Sequence, residues 1–401
     1  MTHIVIIGAG QAGSSAAFKL RTLGFDGDVT LIGSEPVPPY QRPPLSKGYL
    51  LGDVTRERLF LRPEASYADE NIRLMLGTEV REIDAKARTI TVADERLNFD
   101  DLILTMGSSP IELPDAIGGN LNGVHSVRTL ADIDAMAPAF AKGRKALIVG
   151  GGYIGLEAAA VAAKMGLHVT LVEMADCILQ RVASAQTSDY FRTLHSANGV
   201  NIIEGVGLAR LTGDGPVKGA ELTDGQTLDV DLVIVGIGIR PNVDLAEDTG
   251  VTLNNGIETD TYGRTSQPHV WAAGDCASFP FRGNRIRLES VPNAIDQAEA
   301  VATNIMGANI EYVAKPWFWS DQFDVKLQIA GLNTGYDRVV VRGGERDGSV
   351  SHWYYAGTQL LAVDAMNAPR EFMIGRRLIE AGKSPDPTAV ADPQTDLKSL
   401  M

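Results

Sequence analysis

The chain has 401 residues, 44% hydrophobic and 21% charged, with a formal net charge of −14 at pH 7. That length exceeds one ordinary hydrophobic core, so two or three domains are expected, and an acidic charge spread along the whole chain argues against nucleic-acid or anionic-membrane binding. The two cysteines, Cys177 and Cys276, have no C-x-x-C spacing, so they signal neither a metal site nor a thioredoxin-like pair and suit a reducing, cytoplasmic setting.

The opening "MTHIVIIGAG" enters a strand almost at once, so no secretory leader is expected. No uncharged apolar run reaches the roughly 18 residues of a membrane span; the richest stretch, 146–172, is interrupted by Glu157 and Lys164. Residues 3–35 read as strand, glycine turn, small-residue helix, second strand and acid. Residues 145–173 repeat that order, so the chain contains two βαβ units. The turn glycines are Gly8, Gly10 and Gly13 in the first unit and Gly150, Gly152 and Gly155 in the second. The first glycine of each set permits a tight turn and the second lets backbone approach a pyrophosphate. The third lets helix pack on strand, with the helix N-terminus offering N–H groups to the phosphate. Glu35 lies 22 residues beyond Gly13 (35 − 13) and Glu173 lies 18 beyond Gly155 (173 − 155), near the roughly 20-residue spacing of an acid that holds an adenosine ribose. Two dinucleotides in one chain are therefore implied. An acid at Glu173 repels a 2′-phosphate, which favours NADH over NADPH if the second unit holds the nicotinamide.

Between and beyond the repeats, "PYQRPPLSK" at 39–47 is stiff and basic and holds no cysteine. "DDLILTMG" at 100–107 and "DVDLVIVGIGIRP" at 229–241 read as buried strands ending in glycine turns. Either is open to two readings, a backbone approach to cofactor at Gly107 and Gly238 or a plain strand end. "PHVWAAGDCA" at 268–277 is another strand, after which Asp275 could accept hydrogen bonds from a ligand or serve only as a turn or cap residue; Cys276 reads as small buried filler. Residues 290–306 predict a helix. Past Pro316 the texture becomes aromatic and alternating, which predicts strands of a further domain, and the proline-rich tail from Lys383 reads as irregular.

Taken in order, "GAGQAG", "PYQRPPLSK", "VGGGYIGLE", "AAGDCA", "LESVPNAIDQA" and "WFWSDQFDVKLQ" resemble the putidaredoxin-reductase-like class of FAD-dependent ferredoxin reductases nearly end to end. The resemblance implies an α/β chain of glutathione-reductase type: two Rossmann-like dinucleotide-binding domains plus an α+β C-terminal domain. FAD would occupy 1–111 and 241–316, NADH 112–240, and the C-terminal domain 317–401. It implies that Gly8, Gly10, Ala12 and Gly13 cradle the FAD pyrophosphate and Glu35 holds its ribose. Arg42 would pair with FAD phosphate, Lys47 would sit near flavin N5, and Val80 would meet adenine through its backbone. Arg128 and Asp275 would hold the phosphate and ribityl regions, while Val291 and Trp319 line the isoalloxazine. Thr105 and Gly107 are kept in "LTMGSSP", where the family more often shows Ala-Thr-Gly. Gly150, Gly152, Ile154, Gly155, Glu173 and Gly238 fall on the nicotinamide side, with Glu157 as partner of Lys47. Lys47, Glu157 and Trp319 are thus the expected catalytic residues, with no metal ligand.

The activity implied is hydride transfer from NADH to FAD, then single-electron delivery to a 2Fe–2S ferredoxin serving a cytochrome P450 or Rieske oxygenase. Such ferredoxins are usually acidic, so a local basic patch is expected, with Arg282, Arg285, Arg287, Arg62, Arg376 and Arg377 as candidates. A disulfide reductase or water-forming oxidase of this fold needs a cysteine within 40–50 and is disfavoured. A rubredoxin or monodehydroascorbate-type reductase, or a redox-sensing NADH/FAD flavoprotein, remains open, and oligomeric state is not legible.

Overall fold

The structure, a computed structural model, describes residues 2–344 and 346–401. They fall into two compact units, one formed by Met1–Gln41, Arg56–Ser109 and Arg240–Pro316, the other by Arg42–Thr55, Pro110–Ile239 and Trp317–Met401.

The first unit is built on a five-stranded parallel sheet in the order Val270–Ala272, Asp101–Leu104, His3–Ile7, Asp28–Ile32, Ile72–Met75. Its central strands are apolar apart from Thr30 and the polar residues His3, Asp28 and Asp101 at their starts, because both faces are covered. Ile4 and Ile6 pack with Leu20, Ala298 and Val301 on one side, and Val5 and Ile7 pack with Leu102, Leu104 and Ile257 on the other. Helix Gln11–Thr22 crosses from the first strand to the second and packs against helix Val291–Ile305, which starts where Ser290 accepts the Asn293 N–H.

The second unit repeats the device. Its parallel sheet runs Asn201–Glu204, His168–Glu173, Lys145–Val149, Leu232–Val235, Val124–Ser126, and helix Tyr153–Lys164 follows the central strand. Leu147, Val149, Val172, Val233 and Val235 form one buried layer with Leu211, Val217 and Leu222. The same unit carries a five-stranded antiparallel sheet in the order Trp317–Gln322, Val325–Gly331, Gln359–Met366, Val350–Ala356, Arg338–Gly343. Helix Pro369–Glu380 covers it through Phe372, Ile374 and Leu378.

The tail departs from its sequence reading. Asp386 caps a short helix, Pro387–Ala391, and a final turn spans Leu397–Leu400; Val390 and Leu397 are buried in the core of the antiparallel sheet. The buried Arg342 guanidinium binds this segment, donating to the carbonyls of Val390 (2.9 Å), Asp392 (2.7 Å) and Thr395 (2.9 Å). Proline and aspartate there begin helical turns instead of marking a loose coil. No helix among the described residues is long and apolar enough to cross a membrane.

Candidate functional site

The two glycine turns have the same architecture. Gly8 and Gly150 adopt φ of +110° and +104°, and a Cβ there would lie 2.2 Å from the Thr105 carbonyl oxygen and 2.4 Å from that of Gly236. A Cβ on Gly13 or Gly155 would fall 2.1 Å from the carbonyl oxygen of Gly8 or Gly150. By contrast, Gly10 and Gly152 would meet nothing within 4 Å. The outer glycines are therefore demanded by the chain's own packing, and the middle one faces open space where an extended phosphate can come against bare backbone. Each turn leads straight into a helix, so its N–H groups and positive end face the same point. Both turns fit a dinucleotide pyrophosphate.

The acids at the ends of the second strands are already held. Tyr40 Oη donates to Glu35 Oε2 at 2.6 Å. Glu173 Oε2 accepts the Gly151 N–H at 2.6 Å and Oε1 the Ala175 N–H at 2.8 Å, which aims its charge beside the second glycine turn. The Thr105 hydroxyl donates to the carbonyl oxygens of Ile7 (3.0 Å) and Gly8 (2.9 Å), so it braces the first turn from within. Asp275 accepts from Ser108 Oγ at 3.0 Å, and Asn242 N–H donates to Gly107. Gly238 (φ +125°) receives the Ile111 N–H on its carbonyl. Gly8, Gly10, Ala12, Gly13, Glu35, Val80, Thr105, Gly107, Asp275 and Val291 lie in the first unit. Arg42, Lys47, Arg128, Gly150, Gly152, Ile154, Gly155, Glu157, Glu173, Gly238 and Trp319 lie in the second.

Within that second unit, three distant segments converge on one carboxylate. Glu157, in the second turn of helix Tyr153–Lys164, is only 6% exposed. The helical turn Leu45–Tyr49 is broken at Lys47 and brings Lys47 Nζ to 3.0 Å from Glu157 Oε1. Ser46 Oγ donates to Oε2 at 2.8 Å, and Ser320 Oγ, from the first antiparallel strand, donates to Oε1 at 2.7 Å. Burial pushes the Glu157 carboxyl above its ordinary range, while Lys47 and the two serines oppose that rise. Asp321 Oδ2 lies 3.9 Å from Lys47 Nζ. Trp319 is half-buried beside Trp317, their rings 5.7 Å apart, and Arg376 lies over Trp317 at 5.1 Å. Arg42 Nη1 donates to the Arg128 carbonyl at 2.6 Å.

Ser46, Ser320 and the groups behind Ser320 are residues that sequence reasoning missed. The available signal was the alternation of "WSDQ", which turns Ser320 and Gln322 inward together from an otherwise apolar layer. A second missed cluster is fully buried. Asp364 accepts from Tyr354 Oη and from Thr187 Oγ1 (2.8 Å), Thr187 Oγ1 meets His352 Nδ1 at 2.7 Å, and burial pushes the Asp364 carboxyl up to about 6.

Neither cysteine lies in the 40–50 segment. Cys276 is fully buried, its thiol pushed up to about 11 by desolvation, and Cys177 lies beyond the second βαβ unit. Among the described residues, no group of three or more His, Cys, Asp or Glu could hold a metal ion. The candidate arginines differ in how they are held. Arg285 pairs with Glu258 at 3.2 Å and donates to the Ser278 carbonyl at 2.6 Å, while Arg287, its side chain 9% exposed, pairs with Glu289 and donates to the Asp275 carbonyl. These two arginines tie their own loops together. Arg62 lies over Phe18 (4.2 Å) and Arg376 pairs with Glu380, whereas Arg282 and Arg377 are exposed.

Comparison with known proteins accounts for this arrangement. Residues 2–298 match the pyridine nucleotide-disulphide oxidoreductase family, and residues 317–401 match the reductase C-terminal family. A ferredoxin–NAD(P)+ reductase of Sphingomonas sp is 44% identical, the match covering 100% of this chain and 98% of that protein. Rhodocoxin reductase of Rhodococcus erythropolis is 43% identical over 98% of this chain and 93% of its own length. The crystal structure of the covalent putidaredoxin reductase–putidaredoxin complex superposes with a TM-score of 0.96 at 38% identity, covering 100% of this chain and 98% of that one. The chain belongs to the pyridine nucleotide-disulphide oxidoreductases and, within them, to the putidaredoxin-reductase-like ferredoxin–NAD(P) reductases of glutathione-reductase-like fold.

Proposed function

We propose that this reductase takes electrons from NADH through FAD and passes them one at a time to a 2Fe–2S ferredoxin that feeds a cytochrome P450 or Rieske oxygenase. The FAD domain comprises residues 1–111 and 241–316, the NADH domain 112–240 and the C-terminal domain 317–401. The observation that carries the reading is Lys47, 3.0 Å from Glu157 and standing in the 40–50 segment, where a disulfide reductase of this fold would need a cysteine.

Bound FAD would supply the hydride acceptor and the single-electron donor. The turn at Gly8, Gly10, Ala12 and Gly13 binds the FAD pyrophosphate, with Glu35 on the ribose. In the first unit Val80 would meet the adenine, Asp275 the ribityl chain and Val291 the isoalloxazine, with Thr105 and Gly107 shaping the strand end. In the second unit Arg42 and Arg128 are candidates for a phosphate and Trp319 for an aromatic ring. The turn at Gly150, Gly152, Ile154 and Gly155 binds NADH, and Glu173 turns away a 2′-phosphate, with Gly238 beside the nicotinamide. Lys47 supplies a fixed positive charge that favours the reduced flavin, and Glu157 holds that charge in place. Arg282 and Arg377 remain as ferredoxin contacts. An anaerobic titration tests the first half of the reading: NADH should bleach the flavin of the FAD-loaded protein at one equivalent, with NADPH far slower. A flavin that NADH leaves oxidised overturns it.

A further inference from the structure

Behind Ser320 runs a buried chain of polar groups that the hydride step does not touch. Ser320 Oγ accepts from Gln322 Nε2 at 3.1 Å, and Gln322 Oε1 lies 2.8 Å from His195 Nε2. Ser320, Gln322 and His195 are each fully buried, His195 sits on helix Ala185–Ala197, and the Phe323 ring meets its edge at 5.0 Å.

The direction of every bond follows from donor chemistry. A carboxylate only accepts, so Ser320 gives its one proton to Glu157 Oε1 and has only lone pairs left for Gln322. Gln322 therefore turns its NH2 to Ser320 and its carbonyl to the histidine. A carbonyl only accepts, so His195 carries its proton on Nε2. Burial pushes the imidazole down to about 4, which leaves it neutral, and its bare Nδ1 is buried without a hydrogen-bond partner among the described residues. A lone pair left without a partner is costly unless the other nitrogen's bond matters more. Were the Gln322 amide reversed, Ser320 could donate to the amide carbonyl, and Glu157 would lose that hydrogen bond.

We propose that His195, Gln322 and Ser320 form a one-way hydrogen-bond chain that fixes Ser320 as a donor to Glu157, and so holds the Glu157 carboxylate and Lys47 in one charged arrangement. All three are positioning residues. The inference rests on the proposed nicotinamide-side role of Glu157 only for its kinetic consequence. Among the described residues the charge that bears most on Glu157 is Lys47, which has Asp321 Oδ2 3.9 Å from its Nζ.

The test is an infrared titration of the full-length, FAD-loaded protein labelled with 13C-glutamate, the Glu157 band assigned with Glu157→Gln. Ser320→Ala and His195→Phe should both move the Glu157 titration to higher pH, and Ser320→Thr should keep it in place. The acid limb of flavin reduction by NADH should move with it, with a loss of about tenfold at neutral pH in Ser320→Ala, as expected for one hydrogen bond to a charged group. A titration unmoved in Ser320→Ala and His195→Phe overturns the chain. 15N NMR of the unmutated protein checks it without any variant: a neutral His195 with its proton on Nε2 supports it, and a proton on Nδ1 overturns it. If the titration moves and the rate does not, the chain stands and the nicotinamide-side role of Glu157 falls.

Discussion

Replacing Lys47 by methionine keeps the length of the side chain and removes its charge. At 3.0 Å and an effective dielectric of about 20, the attraction between Lys47 and Glu157 is about 5 kcal/mol before the loss of hydration is set against it. Their side chains are 17% and 8% exposed, so the pair behaves as largely buried, and removing one partner should cost about 3 kcal/mol. Ser46 and Ser320 still solvate the carboxylate, which keeps the loss at the low end. Glu157→Gln alone should cost about 1 kcal/mol, since Lys47 is part-exposed and keeps Asp321 nearby. In the double variant the buried amide needs no counter-charge, so the summed losses should exceed the double loss by about 2 kcal/mol. Urea unfolding of the four proteins measures this coupling. The pH dependence carries a sign. The Glu157 carboxyl holds its proton more tightly folded than unfolded, because burial outweighs its partners. Its cost to stability therefore grows as pH rises from the unfolded range through the folded one, and Lys47→Met enlarges that cost. The deficit of Lys47→Met should shrink as pH falls and Glu157 becomes neutral. Additivity within about 0.5 kcal/mol, or a deficit that does not change with pH, would refute the reasoning.

The Asp364 carboxyl, pushed from 3.8 to about 6 by burial, should lower stability by about 3 kcal/mol as pH rises from about 3 to about 7. Asp364→Asn should remove that slope, and parallel pH profiles for the two proteins would contradict it. Because Glu173 aims its charge beside the second glycine turn, Glu173→Ser should reduce the NADH-over-NADPH preference in kcat/KM about 30-fold, or about 2 kcal/mol. A side chain on Gly13 or Gly155 would meet a carbonyl oxygen at 2.1 Å. Gly155→Val should therefore abolish NADH binding at unchanged flavin content, and Gly13→Val should cost flavin; the opposite pairing would exchange the two dinucleotides.

The glycine turns were legible because each is a local contact between a strand end and the next helix, within some ten residues of sequence. Their packing demands, such as the Thr105 carbonyl against Gly8, come from a strand far along the chain but leave their trace as glycine itself. Lys47 and Glu157 could be joined only through resemblance, since nothing local links a proline-rich segment to a helix. The serines that hold Glu157 lie 111 and 163 residues from it, and His195 lies 127 from Gln322; each is an ordinary residue until the fold brings it in. The pairing of the arginines was not legible for a related reason. Counting them says where positive charge is, and Glu258 and Glu289 decide how much of it stays available. In the tail, a proline-rich composition reads as coil, although Pro387 follows the capping Asp386 into a short helix and Arg342 gathers the carbonyls beyond it.

Electrons should leave the flavin singly to a ferredoxin. NADH-driven cytochrome c reduction, measured with and without a panel of 2Fe–2S ferredoxins, tests it directly. The reductase alone should give little reduction, and at least one ferredoxin should give a saturable increase that weakens when Arg282 and Arg377 are reversed to glutamate. A rate that no ferredoxin raises would contradict it.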